Sequence, residues 1–378
     1  MLGLMSLGSC PLRPSCLRRS FSAWRLTAFE GPAALTLDRQ EVPVLRQPDD
    51  LLVRVHAASF NPLDTAMCRG YGRRVLSTTR CLSNNGTVEE LPMILGRDFA
   101  GTVEYAGQGC GSAFRPGDAV YGAVFPASSG TWADYVVASK YLTHLKPASL
   151  SFEAAAALPY AGLTAWSALA ITAGIVGTTH QPRRVLLLGA SGGVGHIALQ
   201  LLHAWDCQVV AVCSSANQEF IRQQFKPSHT LSYQDPNYAQ NLSQLSGFDV
   251  ILDCSGQKAE SFTPLLKSSP EACFVSLDSP LLSSTDNQGL IRGGLSVLSN
   301  LIGSNVKALS TSGGTVRWGY FGPVPGALGS MSQLVEQNRL KPVIDRVFDF
   351  QDMPLAMKHV QNRGGQRGKV VLRVKKEE

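Results

Sequence analysis

The sequence predicts an α/β protein in two parts: a β-rich segment and a doubly wound parallel sheet with helices on both faces. Three observations carry this. Residues 26–146 read as short strands separated by turns, and strands alternate with helices from Arg184 to Leu277. A single glycine-rich turn interrupts the apolar stretch VLLLGASGGVGHIALQLLHAWDCQVVAVCSS (Val185–Ser215). With 378 residues and 44% apolar side chains, the chain can bury a substantial core and reads as two domains.

The first 29 residues contain Arg13, Arg18, Arg19 and Arg25, several serines and no acid before Glu30. That is the composition of a mitochondrial presequence, assigned here to residues 1–22. A secretory signal fits less well, because Pro11 and Pro14 interrupt the short apolar segment that precedes Arg18. Arg19-Ser20-Phe21-Ser22 suits cleavage near Phe21. Loss of residues 1–21 removes three arginines and lowers the formal charge from +6 to +3, too mild for a nucleic-acid partner.

In the β-rich part, LLVRVHAASF (Leu51–Phe60) and AGTVEYAG (Ala100–Gly107) alternate as strands, and RPGDAVYG (Arg115–Gly122) is a Pro-Gly turn entering another. The polar stretch from Tyr71 to Pro92, with Asn84, Asn85 and Gly86, reads as a surface loop. After Pro147 the texture changes: Ser151 is an N-cap candidate, helix formers follow, and Pro159 separates a second helical stretch. Strands are expected near Arg184–Gly189, Gln208–Cys213, Asp249–Asp253 and Cys273–Leu277. Met331–Val374 then gives helix, strand, helix, glycine turn and strand. The longest apolar candidates, Ala154–Ala170 and Val185–Val212, are cut by Pro, Gly and polar residues, so no membrane span is expected. Nine cysteines, none in a C-x-x-C pair, read as thiols in a reducing compartment.

Ala190-Ser191-Gly192-Gly193-Val194-Gly195 keeps the spacing of the dinucleotide fingerprint, with Ala in place of its first Gly. Gly192 lets the backbone approach a pyrophosphate, Gly195 lets the helix pack on the strand, and the N–H groups of the helix start face the anion. The second strand ends in Cys213-Ser214-Ser215-Ala216-Asn217, with no acid before Glu219. An NAD site offers a carboxylate there to the ribose 2′-hydroxyl, and that carboxylate would repel a 2′-phosphate. Its absence favours NADPH, with Ser214 as phosphate partner and Arg222 and Lys226 as candidate cations.

NPLD (Asn61–Asp64), LGRDFAG (Leu95–Gly101), PGDAVYG, ALPYAGLTAWSAL (Ala157–Leu169), GASGGVG and RGKVVL (Arg367–Leu372) together resemble the zinc-free quinone oxidoreductases of the medium-chain dehydrogenase/reductase superfamily. The resemblance covers essentially everything after the leader. It implies a GroES-like substrate domain (residues 23–150 and 331–378), a Rossmann domain (151–330) and a cleft where they meet. Carried over by motif, Ser191, Gly193 and Val194 resemble the pyrophosphate turn, Ser214 the 2′-phosphate contact, and Tyr233 the tyrosine near the adenine ribose. Cys254, Leu277, Gly319, Phe321, Gln366 and Arg367 resemble further cofactor contacts.

Zinc-dependent relatives place Cys, a Gly-His-Glu segment and a later Cys around a catalytic metal, where this chain has Asn61 and Gly96-Arg97-Asp98. No metal is therefore expected. A quinone or conjugated carbonyl needs less help than an alcohol, because hydride addition gives a delocalised anion that hydrogen-bond donors can hold. Asn61 and Tyr71 resemble positions on the substrate side, and Arg97 adds positive charge. Asn61 also reads as a turn-former ahead of Pro62, Tyr71 as a loop residue, and Arg97 as a partner of Asp98 or Asp64.

The resemblance thus implies an NADPH-dependent reductase of quinone-like substrates in the mitochondrial matrix, linked to ubiquinone biosynthesis. Outer-membrane association is the alternative location. The rival readings are an enoyl-thioester reductase and an NADPH-binding protein that contacts reticulon-type membrane proteins. A second copy of the chain is a further candidate partner.

Overall fold

A computed structural model gives the architecture of residues 20–83, 89–175, 182–362 and 365–375. The β-rich part starts with β1 (Ser20–Leu26), paired antiparallel with β2 (Leu35–Glu41) from Ser20↔Glu41 to Leu26↔Leu35. Phe21 and Ala23 are buried against Ala133. The fold therefore uses Ser20–Ser22, which composition alone gives to the leader; residues 1–19 lie outside the described residues.

Next come β3 (Asp50–Ser59), α1 (Pro62–Met67), α2 (Arg73–Ser83), β4 (Met93–Ile94), β5 (Asp98–Ala106), β6 (Ala119–Ala123), β7 (Tyr135–Ser139) and β8 (Thr143–Leu145). Helix α2 corrects the expected loop. Val75 and Leu82 lie seven residues apart, a helical interval, but of Val75, Leu76 and Leu82 only Leu76 is buried, so the apolar stripe is short and poorly anchored. Tertiary contacts supply what the pattern lacks: the Asp286 carboxylate accepts hydrogen bonds from the N–H groups of Gly72 (2.6 Å) and Arg74 (3.0 Å) at the helix start. Asn84–Gly86 lie outside the described residues.

The second part begins with α3 (Phe152–Ala156), whose Ser151 cap accepts from Ala154 N–H, and α4 (Pro159–Trp166), separated at Pro159 as expected. Then follow β9 (Arg184–Leu188), α5 (Gly195–Ala204), β10 (Gln208–Cys213), α6 (Ser215–Phe225), β11 (His229–Ser232), α7 (Tyr238–Ser243), β12 (Val250–Asp253), β13 (Cys273–Ser276), α8 (Leu281–Gln288), α9 (Leu290–Ser312), β14 (Thr315–Trp318) and α10 (Ala327–Glu336). The six strands form one parallel sheet in the order β11-β10-β9-β12-β13-β14. All four expected strands are present. Val185–Leu188 and Val250–Asp253 are buried throughout, as central parallel strands covered on both faces must be. The apolar run Phe152–Thr172 is long enough to cross a bilayer, but 67% of its most apolar 18-residue stretch is buried in this core.

The chain closes with β15 (Ile344–Asp349), α11 (Met353–Gln361) and β16 (Lys369–Arg373). The C-terminal strands return to the β-rich part, where the sheet runs β15-β16-β3-β5-β6-β8 with β7 also on β3. The strand order of the parallel sheet reverses between β9 and β12, so a crevice opens at their C-terminal ends. The glycine turn follows β9, and Cys254 follows β12.

Candidate active site

The glycine turn is shaped by contacts that fix where side chains can stand. A Cβ on Gly195 would lie 2.1 Å from the Gly189 carbonyl oxygen, so glycine is required for α5 to pack against β9. A Cβ on Gly192 would meet only that oxygen, at 3.4 Å, so this residue opens onto solvent. Gly193 lies on the bridge between Gly192 and Gly368, while, among the described residues, the N–H groups of Val194 and Gly195 find no backbone acceptor. They form an anion-binding mouth at the start of a ten-residue helix. This cradle fits a dinucleotide pyrophosphate. Ser191 lies beside it, its Oγ accepting from Asn217 Nδ2 at 3.1 Å.

The tip of β10 is where the sequence places the 2′-phosphate. Ser214 caps α6 without a side-chain cap bond. Arg222 is ion-paired with Glu219 at 2.8 Å and sits two turns into α6, about 12 Å along the axis; Lys226 lies beyond the helix end. Neither reaches Ser214. Arg367 does reach this tip: its Nε donates to Asn217 Oδ1 (2.8 Å), its Nη2 donates to the Ala216 carbonyl (3.0 Å), and its guanidinium lies 4.9 Å from the Phe220 ring centre. Buried Asn217 thus connects the pyrophosphate turn to the arginine.

The other expected contacts distribute as follows. Tyr233 is exposed next to β10, its N–H donating to the Cys213 carbonyl. Cys254 N–H donates to the Leu188 carbonyl at 3.0 Å, on the wall of the crevice opposite Gly189, and burial pushes its thiol pKa upward. Leu277 and Gly319 continue that wall; a Cβ on Gly319 would stand 3.0 Å from Leu277 Cδ2. Gln366 is turned away: its side chain donates to the carbonyls of His359 and Asn362, and its backbone carbonyl accepts from Asn217.

Beneath the cleft lies a dense polar centre. Asn61 is buried. Its Nδ2 donates to Asp98 Oδ2 at 2.8 Å, and its Oδ1 accepts from Lys369 Nζ at 2.6 Å. Lys369 also pairs with Asp98 at 3.2 Å, and Asp98 accepts from Ser59 Oγ (2.6 Å) and Tyr160 N–H (2.5 Å). Arg97 is 1% exposed; its Nη1 donates to the carbonyls of Phe125 and Ser128, and its Nε lies 3.4 Å from Asp64. Burial raises the Asp64 pKa despite Arg97 and lowers the Arg97 pKa despite Asp64, so desolvation outweighs their attraction. Arg97 therefore faces inward and ties the 125–128 loop to α1, the pairing with Asp64 that the sequence left open.

This donor set does not fit zinc. Asn61 and Asp98 are already bound to an ammonium, and Cys68 nearby has its thiol pKa pushed up to about 12 by burial. Among the described residues no three His, Cys, Asp or Glu side chains converge as metal ligands.

Aromatic rings, among them Phe321, expected from the sequence as a cofactor contact, adjoin the polar centre through Tyr160, whose N–H donates to Asp98. Phe321 stacks on Tyr160 with ring centres 4.3 Å apart and planes at 8°, and Phe125 meets Phe321 edge-on at 6.1 Å. Tyr71 is half-buried; burial, then Asp278, Asp286 and Tyr320, raise its pKa, so the phenol stays a protonated donor. Lys369 and His196 escaped the sequence reading. His196 Nδ1 bonds the Gly192 carbonyl (2.8 Å) while its Nε2 accepts from Val343 N–H (3.0 Å), which fixes the tautomer, and burial lowers its pKa to about 4.

A GroES-like sheet joined to a Rossmann sheet, with a glycine turn at their meeting point, defines a nicotinamide-dependent oxidoreductase of the medium-chain type. The alcohol dehydrogenase GroES-like domain model matches residues 47–148, and the zinc-binding dehydrogenase model matches residues 227–372. The mitochondrial NAD(P)H oxidoreductase RTN4IP1 of Drosophila melanogaster is 36% identical over 94% of this chain and 86% of its own length. The Homo sapiens protein of the same name is 38% identical over 88% of this chain and 84% of its own. The chain belongs to this NAD(P)H oxidoreductase family, within the medium-chain dehydrogenase/reductase superfamily. The quinone oxidoreductase of Coxiella burnetii is 26% identical and superposes with a TM-score of 0.75, covering 94% of this chain and all of that one.

Proposed function

We propose that the chain is an NADPH-dependent reductase of quinone-like or conjugated carbonyl substrates that works without a metal. The observation that carries the cofactor choice is Arg367 at the β10 tip, beside Ser214 and with no carboxylate in the Cys213–Asn217 segment. Bound NADPH supplies a hydride. The N–H groups of Val194 and Gly195 would hold the pyrophosphate against the Gly192–Gly193 backbone, Ser214 and Arg367 would hold the 2′-phosphate, and Tyr233 would offer an exposed ring beside the adenine ribose. Cys254, Leu277 and Gly319 line the nicotinamide side.

The Tyr160–Phe321 stack, with Phe125 set edge-on to it, suits a planar ring, and the second Nδ2 hydrogen of Asn61 and the Tyr71 hydroxyl are the donors for an oxygen that gains charge. Arg97 positions this wall through the Phe125 carbonyl instead of touching substrate. Relatives named mitochondrial support a mitochondrial site, and the Arg-rich first residues support the matrix. The ubiquinone link remains part of the proposal. The Caenorhabditis elegans relative, 32% identical, is named reticulon-4-interacting protein 1, which supports a reticulon-type partner as a second role.

The test is turnover of NADPH and of NADH with a panel of quinones and enoyl thioesters, in the wild-type chain and in Arg367→Ala. The expected result is quinone-dependent NADPH oxidation, with Arg367→Ala weakening NADPH binding roughly 10- to 100-fold and leaving NADH unchanged. Equal loss for both cofactors, or a preference for enoyl thioesters, overturns the reading.

A further inference from the structure

Helix α9 is apolar on two faces, and the fold covers only one. Gly293, Val297 and Ala308 face the body, and a Cβ on Gly293 would stand 2.6 Å from the Ser284 carbonyl oxygen. The Asn305 side chain donates to the Val316 carbonyl (2.9 Å) and accepts from Val316 N–H (2.9 Å), closing the free edge of β14. On the opposite face Ile291, Leu295, Leu298, Ile302, Val306 and Leu309 repeat at helical spacing along about 27 Å, each between 52% and 79% exposed. An aliphatic stripe of this length exceeds the scattered apolar exposure of ordinary surfaces.

The charges around the stripe select its occupant. The chain has no Asp or Glu between Asp286 and Glu336. At the start of α9, an open groove is lined by Arg74, Gln288, Gly289, Leu290, Ile291 and Arg292. Among the described residues neither Arg74 nor Arg292 has an ion-pair partner, and the nearby Asp286 carboxylate is occupied by the N–H groups of Gly72 and Arg74. Lys307, near the other end, pairs only loosely with Glu260 at 3.8 Å. In an antiparallel pair of α9 helices, Arg292 would face Lys307 of the other copy; in a parallel pair, each cation would face itself. Both arrangements repel, with no acid on the helix to compensate. An anionic lipid surface meets both demands, taking the aliphatic stripe among its acyl chains and the cations among its phosphates.

We infer that α9 is a membrane-docking helix that lies in the surface of bilayers rich in anionic phospholipid. The inference does not depend on the identity of the substrate. The test is flotation of the full chain with vesicles of phosphatidylcholine and phosphatidylglycerol (7:3) and of phosphatidylcholine alone, alongside light scattering for mass. Ile302→Glu and Arg292→Glu are exposed substitutions, and thermal melting and NADPH binding check that each variant is folded. The expected result is wild-type flotation with the anionic vesicles, about tenfold less with Ile302→Glu, and weaker binding with Arg292→Glu, at high salt or on neutral vesicles. Failure of the wild type to float, or undiminished flotation of Ile302→Glu, overturns the inference. A doubled mass that Ile302→Glu halves, without flotation, also overturns it and assigns the stripe to a second copy.

Discussion

Replacing Lys369 by Met tests whether the buried ammonium organises the polar centre. Methionine keeps the stem that packs against the glycine turn, where a Cβ on Gly193 would come within 2.8 Å of Lys369 Cδ, and removes only the charge. Asp98, fully buried, would keep three donors: Ser59 Oγ, Asn61 Nδ2 and Tyr160 N–H. Asn61 Oδ1 would lose the ammonium donor at 2.6 Å. Removing one member of a buried pair costs about 3–5 kcal/mol. The three remaining donors soften this, so the expected loss is about 2–4 kcal/mol. Adding Asp98→Asn removes the orphaned charge, and the double variant should recover at least about 1 kcal/mol relative to the sum of the single changes. Chemical denaturation followed by tryptophan fluorescence reads the unfolding, with buried Trp132, tilted against Phe60, as one of five reporters. A loss below about 1 kcal/mol for Lys369→Met, or strict additivity of the two changes, would show that the ammonium is not the organising charge.

Two other outcomes follow from the glycine turn. His196 has a pKa lowered to about 4 against an ordinary 6.5, so the unfolded chain takes up its proton first as pH falls. Its contribution is whole above pH 6.5 and is lost progressively between 6.5 and 4, amounting to about 3 kcal/mol, and His196→Gln should flatten that part of a stability-against-pH curve. Gly192→Ala and Gly195→Ala should separate binding from folding: the first leaves the melting temperature within a few degrees of wild type yet weakens nucleotide binding at least about tenfold, as the added methyl takes the anion's place. The second destabilises the chain outright, because its Cβ meets the Gly189 carbonyl oxygen at 2.1 Å.

Local chemistry was legible in the sequence; long-range convergence was not. The central strands announce themselves because a strand covered on both faces must be apolar through its body, as LLL at 186–188 and VIL at 250–252 are. The turn at 189–195 is equally local. The cation proposed for the 2′-phosphate is different: Arg222 and Lys226 are near Ser214 in sequence, yet Arg367 arrives from 150 residues beyond Asn217. Lys369 is a similar case, with partners 308 and 271 residues away in Asn61 and Asp98. In one sequence it is only the lysine of a terminal strand. Helix α2 escaped notice because its start is satisfied by Asp286, over 200 residues on.

The segment entering β16 gives these separate observations one cause. Gly368 N–H donates to the Ser191 carbonyl at 2.8 Å, and Gly192 and Gly368 form a parallel bridge, so the C-terminal strand is hydrogen-bonded directly to the cofactor turn. Upstream, Val343 N–H is held by His196, and Gln200 bonds both N–H and carbonyl of Lys341. From this fixed point Arg367 extends toward the β10 tip and Lys369 toward Asn61 and Asp98. Two cations spaced two residues apart on an extended strand point the same way, but the positive φ of Gly368 (72°) turns the chain between them, and a Cβ there would strike the Val343 carbonyl oxygen at 2.1 Å. One arginine and one lysine on either side of a glycine thus reach the β10 tip and the buried Asn61–Asp98 centre. A nucleotide settling on the turn therefore bears on the backbone that carries Lys369, and through it on the amide of Asn61.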